Sequence, residues 1–329
     1  INYVRGGMWD MHHAWDMGND ISLKTDVFYQ KMRHLMSNNI LRTPTNAMTN
    51  RTKVEAGGIS MALAMPFNSG QLTVGVDGDQ SNHDANSTMT MMGGTSATNY
   101  FNKVERDRYS IFTEWAGAVS EDISVELGAR YTHTWSDAGD VSSEIAMGAK
   151  SRTNARNAFN ALERTKNYNL VDLVAELQFN ASSELDVNVG VARKNRAPTY
   201  QELYLWYGSA ANAGFADGKT YIGDTGLEAE TAYQFDLGLD WHTADVYVAP
   251  NVFYHYVEDY IMGQTSVKAQ GGTGNDYDAD LQWSNIGGAQ FFGAELEAGY
   301  KFTDHIRTDA SLNYVRGMRI NALNGDDDL

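Results

Sequence analysis

The sequence predicts an all-β chain, an antiparallel transmembrane β-barrel. Three observations carry that expectation. Apolar and polar residues alternate with period two over spans long enough to cross a bilayer. Short polar turns join these spans on one side, and long polar segments join them on the other. Aromatic residues gather near the strand ends, where a membrane-spanning sheet meets its two interfaces.

The bulk composition agrees. Among 329 residues there are 31 glycines, 18 tyrosines and only 4 prolines, a balance that suits sheet better than helix. Cysteine is absent, which rules out disulfides and thiolate metal sites. The net charge of -17 would repel phosphates, so no nucleic-acid partner is expected. No run of about 18 apolar residues is present, so the chain offers no transmembrane helix.

The strands can be read in order. Over 21–36, Leu23, Thr25, Val27 and Tyr29 form a lipid-facing set, and Asp26, Phe28, Gln30, Met32, His34 and Met36 face the other way. Over 53–65, Met61 and Met65 fall on the lipid side. In "YSIFTEWAGAV", Tyr109, Ile111, Thr113, Trp115 and Val119 alternate with Ser110, Phe112, Glu114, Ala116 and Ala118. A turn then leads into Ile123, Val125, Leu127, Ala129 and Tyr131. Val171 to Phe179 turns at "ASSE" into Val187, Val189 and Val191. Tyr233 to Trp241 turns at "HTAD" into Val246, Val248, Val252 and Tyr254. Ala294 to Phe302 turns at "TDH" into Ile306 to Tyr314. Residues 37–52, 85–104, 135–166, 194–229 and 262–290 read as the long outer loops, giving roughly twelve strands.

A soluble β-sandwich would also alternate, with an apolar inner face and a polar outer one. Here Glu114, Glu126, Glu176, Asp236, Asp240, Glu295 and Glu297 line the polar face, which suits a wet lumen as well as an exposed surface. The aromatics near the strand ends and strands longer than the globular norm favour the barrel.

From residue 105 onward the order of segments is familiar. "RKNRAPTYQELYLWYG" (193–208) resembles the Arg-x-Pro…Glu-Leu segment of the TonB-dependent outer-membrane receptors. "GDTGLEAETAYQFDLGL" (223–239), "NVFYHYVEDYI" (251–261), "NIGGAQFFGAELEAGY" (285–300) and "NYVRGMRINALNGDDDL" (313–329) continue in that family's order. The resemblance implies a 22-stranded barrel in the bacterial outer membrane. A plug would fill it, and the TonB–ExbB–ExbD complex would energise it through an N-terminal region. On this reading residues 1–329 are a stretch of barrel truncated at both ends, without plug or TonB box, bathed by outer-membrane lipid and lipopolysaccharide. Open sheet edges are costly in lipid, so such a stretch is not expected to close alone.

Three His/Met clusters stand out. His34 and Met36 share the lumen side of strand 21–36, expected near the outer mouth, where Lys31 and Arg33 point outward to lipopolysaccharide phosphates. "GGMWDMHHAWDM" (6–17) places Met8, Asp10 and His12 on one face and Met11 on the other. "HDANSTMTMMGG" (83–94), read as an external loop, holds His83, Met89, Met91 and Met92. Thioether and imidazole together suit Cu(I), and imidazole also holds Cu(II). A single exposed Met or His is most often inert; three clusters expected on the outer side weigh against accident. "FYQKMRHLMSNNILRTP" (28–44) further resembles the copper receptors of the TonB-dependent family, where His-x-Met-x-Asn precedes Leu-Arg-Thr-Pro. Met8-Trp9-Asp10-Met11 resembles their Met-rich entry segment. The resemblance implies a metal site shared with the plug. No resident cofactor is required, and a copper ion is the expected transported ligand.

Two alternatives stay open. One is uptake of an organic metal chelate, a siderophore or cobalamin, on a surface made by Tyr204, Trp206 and Tyr207. The other is a passive porin or a surface-binding barrel. No nucleophile elbow, phosphate loop, HExxH or zinc spacing appears, so no enzyme is expected.

Overall fold

A computed structural model describes residues 3–39, 47–91, 94–144, 150–208, 217–265, 279–320 and 329. One antiparallel sheet dominates it. Its strands are β1 (Tyr3–Gly18), β2 (Ile21–Ser37), β3 (Ala47–Phe67), β4 (Gly70–Met91), β5 (Gly94–Ala118), β6 (Ile123–Asp137), β8 (Lys166–Ser182), β9 (Leu185–Arg196), β11 (Glu230–His242), β12 (Val246–Glu258), β15 (Gly288–Thr303) and β16 (Ile306–Arg319). Each lies beside its predecessor in that order, a twelve-strand path, and the short β7 (Ser142–Glu144) adds to the outer end of β5. Among the described residues β1 and β16 are the two edges, and the sheet is open between them.

The turns explain the order. At the inner side β1 meets β2 through Asn19 and Asp20, both in the left-handed region (φ 55° and 58°). That pairing of residues in a two-residue turn matches the twist of the strands it joins. Five further hairpins close on the same side through two to four residues: β3–β4, β5–β6, β8–β9, β11–β12 and β15–β16. The opposite side carries everything else: β7, α1 (Lys150–Asn160), α2 (Tyr200–Tyr204), and a small sheet of β10 (Tyr221–Ile222), β14 (Leu281–Asn285) and β13 (Ile261–Thr265).

Register turns the alternation of single strands into two continuous surfaces. Across six strands, Leu177, Val189, Leu237, Val252, Ala294 and Tyr314 form one row. Met61, Val76, Ile111, Tyr131 and Val171 form another. Most of these side chains are exposed, Ile111 at 60% and Tyr314 at 57%, and among the described residues no second sheet covers them. An apolar area of that extent has hydrocarbon as its natural neighbour. The sandwich alternative fails here, because the dry interior it needs is absent from the main sheet.

Tyrosines mark the upper border of the apolar band. Tyr29 donates to Glu55 (2.6 Å) and Tyr131 to Asn169 (2.8 Å), each turning its hydroxyl to a polar neighbour at that level. Trp115, Phe179, Trp241, Tyr300 and Phe302 mark the lower border. Tyr233 and Trp241 are eight positions apart on β11, roughly 26 Å of strand, which suits a tilted crossing.

The lumen face is charged. Arg130 pairs with Asp77, and Arg108 Nη2 lies 2.7 Å from Asp79. Gly75 sits across from Phe112, whose ring a Cβ at that position would strike at 2.3 Å. Arg130 lies over the same ring at 4.5 Å.

Two of the expected loops turn out to be strand. Residues 85–91 and 94–104 belong to β4 and β5, 22 and 25 residues long, and β3 begins at Ala47 inside the segment 37–52. A crossing needs only about ten residues, so β3–β5 rise far beyond the membrane as a ribbon. Polar residues on both faces of that extension hid its period.

Candidate metal-capture site

The extension of β2–β4 determines which side chains meet. His34 lies across from Thr52, which lies across from Ala85. Met36 lies across from Asn50, and Asn50 across from Ser87. One rung further out, Met48 directly faces Met89. These positions alternate in phase with Asp26, Ser60 and Asp77, so all of them share the lumen face. Directly opposed residues have Cβ atoms about 5 Å apart and diagonal ones about 7–8 Å, so three flexible thioethers, Met36, Met48 and Met89, fall within reach of one ion.

Met48 was not among the residues singled out from the sequence. It lies at the start of β3 and meets Met89 only through the register of two long strands. Asn38 holds it there: its amide N–H donates to the Met48 carbonyl (3.1 Å), and its Oδ1 accepts from the Met48 amide (2.8 Å). The Asn50 amide nitrogen lies 3.9 Å from the Met48 sulfur.

His34 supplies a different donor. Its Nε2 is buried and has no hydrogen-bond partner among the described residues. A buried nitrogen without a partner is costly, and a soft cation would satisfy it. Among the described residues no three His, Asp or Glu side chains converge as a metal cage. The donors that register brings to neighbouring rungs are the thioethers of Met36, Met48 and Met89, a soft set, with the His34 imidazole one rung inward of Met36.

The remaining predicted residues lie elsewhere. His83 is on the lumen face, one rung inward from His34 and two strands away, and its ring stacks on Tyr200 at 4.1 Å. Met91 ends β4 opposite Gly94; Met92 lies outside the described residues. The cluster on β1 is not at the outer mouth. His12 faces Asp26, eight positions along β2 from His34, or roughly 26 Å inward. Both its ring nitrogens are engaged, Nδ1 by Asp26 (2.5 Å) and Nε2 by Asp10 (3.2 Å), so His12 offers a metal no open nitrogen. Met8 lies four rungs' worth of chain from His12 on the same lumen face, opposite Gln30, and Met11 faces lipid beside Val27.

The residues of the chelate alternative are buried. Trp206 is 0% exposed, Tyr204 1% and Tyr207 6%. They belong to a cap on the outer ends of β4–β8 with two cores: Tyr204 packs with Leu203, Leu205, Phe101, Val104 and Leu227, and Trp206 and Tyr207 pack with Val141, Phe159 and Ile222. Tyr204 donates to the Arg164 carbonyl (2.8 Å), and burial pushes its phenol well above the ordinary value, keeping it a donor. These rings hold the cap together and present no surface to a ligand.

The cap is anchored by Arg196, at the outer end of β9. Its guanidinium grips Glu230 by two nitrogens (2.6 and 2.7 Å) and Glu202 by the third (2.8 Å). Glu202 also accepts from the Thr199 amide (2.6 Å) while Thr199 caps the Glu202 amide, a capping box that starts α2. Glu230 accepts from the Ile261 amide (2.7 Å), tying in β13. The cap in turn stacks Tyr200 on His83, so the ribbon and the cap meet one rung inward of the His34 level.

A family model described as TonB dependent receptor-like, beta-barrel matches residues 3–329. No curated protein sequence matches the chain. Among solved structures, the copper transporter OprC is similar at a TM-score of 0.74 and 18% identity, over 98% of this chain and 47% of that one. The ferric yersiniabactin uptake receptor FyuA from Yersinia pestis is similar at 0.58 and 15%, over 99% and 43%. The ferric citrate transporter FecA is similar at 0.62 and 13%, over 96% and 43%. The chain thus spans less than half the length of these structures, and at such identities the likeness is one of fold.

Proposed function

This chain belongs to the TonB-dependent receptor β-barrel family of the bacterial outer membrane, a family of transporters and not of enzymes, and we propose that it serves the import of copper ions. One observation carries the reading: Met36, Met48 and Met89 occupy neighbouring rungs on the lumen face of a ribbon raised above the membrane, and His34 stands one rung inward of Met36. Ions arriving from outside meet soft donors there before they meet the carboxylate-rich lumen wall. The donor set favours Cu(I), because thioether sulfur binds it well while hard divalent ions prefer oxygen. The negative charge of the chain draws cations towards the mouth.

In the whole receptor these strands form part of a 22-stranded barrel around a plug. The charged lumen wall hydrogen-bonds that plug, and the TonB–ExbB–ExbD complex moves it to release the ion inward. The fold likeness to a copper transporter supports the reading, and the siderophore receptors of similar fold keep chelate uptake as its competitor. That competitor must find a surface other than Tyr204, Trp206 and Tyr207. The test is Cu(I) binding by the full-length receptor under reducing conditions. A receptor that binds copper, and loses it when His34 and Met36 become Ala, supports import of the ion. Unchanged copper binding in that variant, with tight binding of a ferric chelate, would favour the competitor.

A further inference from the structure

Among the described residues the ribbon β3–β5 pairs regularly except at one place, and the cap sits on it. Between β4 and β5 the register slips at His83 to Ala85 and again at Ala85 to Asn86, so β5 bulges there. Lys103 lies in the left-handed region (φ 46°), uncommon for a residue with a long side chain, and its amide donates to Asp84 Oδ1 (2.8 Å). Beyond the bulge rise the outer ends of β4 and β5. The cap grips the bulge by side chain and backbone together. The Tyr200 ring lies flat on His83 (4.1 Å between centroids, 15° between planes) and meets Phe101 edge-on at 5.2 Å. The Trp206 amide donates to the Tyr100 carbonyl (3.2 Å), and the Gly139 amide to the Asn102 carbonyl (2.8 Å).

His83 makes this contact sensitive to acid. It stands three rungs beyond Tyr29, clear of the apolar band. Burial lowers its pKa first, Arg106 on β5 lowers it further, and Asp84 on its own strand opposes them. One Asp84 oxygen is already taken by the Lys103 amide. Arg106 has a buried Nε without a hydrogen-bond partner, and among the described residues no carboxylate lies within ion-pair distance of it. Its charge therefore stands unopposed against a second one on the imidazole. β3 faces His83 with Val54, and α2 with Tyr200, whose phenol burial keeps neutral. Undocked, the imidazole titrates near its ordinary value of about 6.5. Below that value the undocked state binds the proton more readily. Docking thus keeps its full strength above about 6.5 and weakens as pH falls from there towards the depressed value.

We propose that Tyr200 stacked on His83 is an acid-released latch: it fixes the cap to the bulge at neutral pH, and protonation of the imidazole frees the outer end of the ribbon. None of its groups is a donor in the proposed metal site, so the latch stands apart from the copper reading.

Hydrogen exchange of the full-length receptor in detergent, corrected for its intrinsic pH dependence, tests this at the Trp206 and Gly139 amides, which open when the latch does. In the parent their exchange is expected to quicken by up to about tenfold per pH unit below about 6.5, the limit for one proton. His83→Phe keeps a flat ring under Tyr200 but cannot titrate, and is expected to lose that acid response. Tyr200→Ala removes the stack and is expected to exchange about three- to tenfold faster already at neutral pH. Amides of the wall strand 171–179 serve as the reference. The proposal is overturned if the parent shows no acid response, if His83→Phe keeps it, or if Tyr200→Ala exchanges as the parent does at neutral pH.

Discussion

Two imidazoles on neighbouring strands show what position along a barrel wall does to the same side chain. His34 and His12 both project into the lumen, one on β2 and the other on β1. His12 lies within the membrane span, clasped between Asp10 and Asp26, and both of its nitrogens are used by the wall itself. His34 stands roughly 26 Å further out with an open buried nitrogen, and its neighbours are thioethers instead of carboxylates. The first arrangement completes a hydrogen-bond network. The second leaves a gap that a soft ion would fill. Chemistry at the two places follows from the neighbours, not from the residue.

That contrast breaks most decisively if the thioethers are removed. Replacing Met36, Met48 and Met89 together by Leu keeps volume nearly constant while deleting the sulfur donors. Cu(I) affinity of the whole receptor, measured against a competing chelator, is expected to fall by about three orders of magnitude, taking roughly tenfold per donor from the lower end of ligand-support effects. A fall below about tenfold in the triple variant would mean the sulfurs are bystanders.

A smaller effect separates the ribbon from the cap that braces it. Arg196→Met leaves Glu202 and Glu230, both largely buried, without their cation. The arginine is partly exposed, so the loss is expected to be about 2–3 kcal/mol of stability, below the full cost of a buried unpaired charge. Denaturant unfolding of the refolded receptor would show it. Copper affinity should change far less than in the methionine variant, because the donors are all on the ribbon.

The two histidines give the sharper single-residue comparison. His34→Ala is expected to weaken Cu(I) binding by about tenfold or more, and His12→Ala by less than about twofold. Equal losses at both positions would place the site in the mid-wall, and the distinction drawn between them would be wrong.

The smallest effect is in the outer sheet of β10, β13 and β14. Asp280 accepts from the Thr220 amide and hydroxyl, both at 2.8 Å, and these bonds hold its carboxyl below the ordinary aspartate value. Asp217 is held low by the Lys219 amide and then by the Tyr221 hydroxyl, itself pushed up to about 12 chiefly by burial. A depressed folded pKa gives stabilisation that is complete above the ordinary aspartate value of about 4 and is lost as pH falls through the lower folded one. Hydrogen exchange at 217–222 and 281–285, corrected for its intrinsic pH dependence, should stay protected at pH 5 and loosen in strong acid. Loosening that begins above pH 5 would exclude these two carboxylates as the pins.

Much of the wall was legible in the sequence because a period of two over nine or so residues has few other causes. Ile111, Val171 and Phe235 announced the lipid face, and the turns at "ASSE" and "HTAD" announced the hairpins. The extension of β4 and β5 was hidden because Asn86, Ser87, Thr88 and Thr98 are polar on both faces, which erases the alternation. Helix α2, with its Thr199–Glu202 capping box, was not read from the sequence, and Tyr204, Trp206 and Tyr207 read as surface aromatics, since burial depends on a cap assembled from distant segments. Met48 escaped for a related reason. Its partner Met89 lies 41 positions away, and only the pairing of β3 with β4 brings them face to face.

The most direct measurement of the central claim is X-ray absorption at the copper edge on the full-length receptor loaded with Cu(I). Thioether scattering at the metal, with a light-atom contribution that disappears in His34→Ala and sulfur that disappears in the Met36, Met48 and Met89 to Leu variant, is the predicted result. A shell of nitrogen and oxygen alone, or sulfur scattering that survives the triple variant, would contradict it.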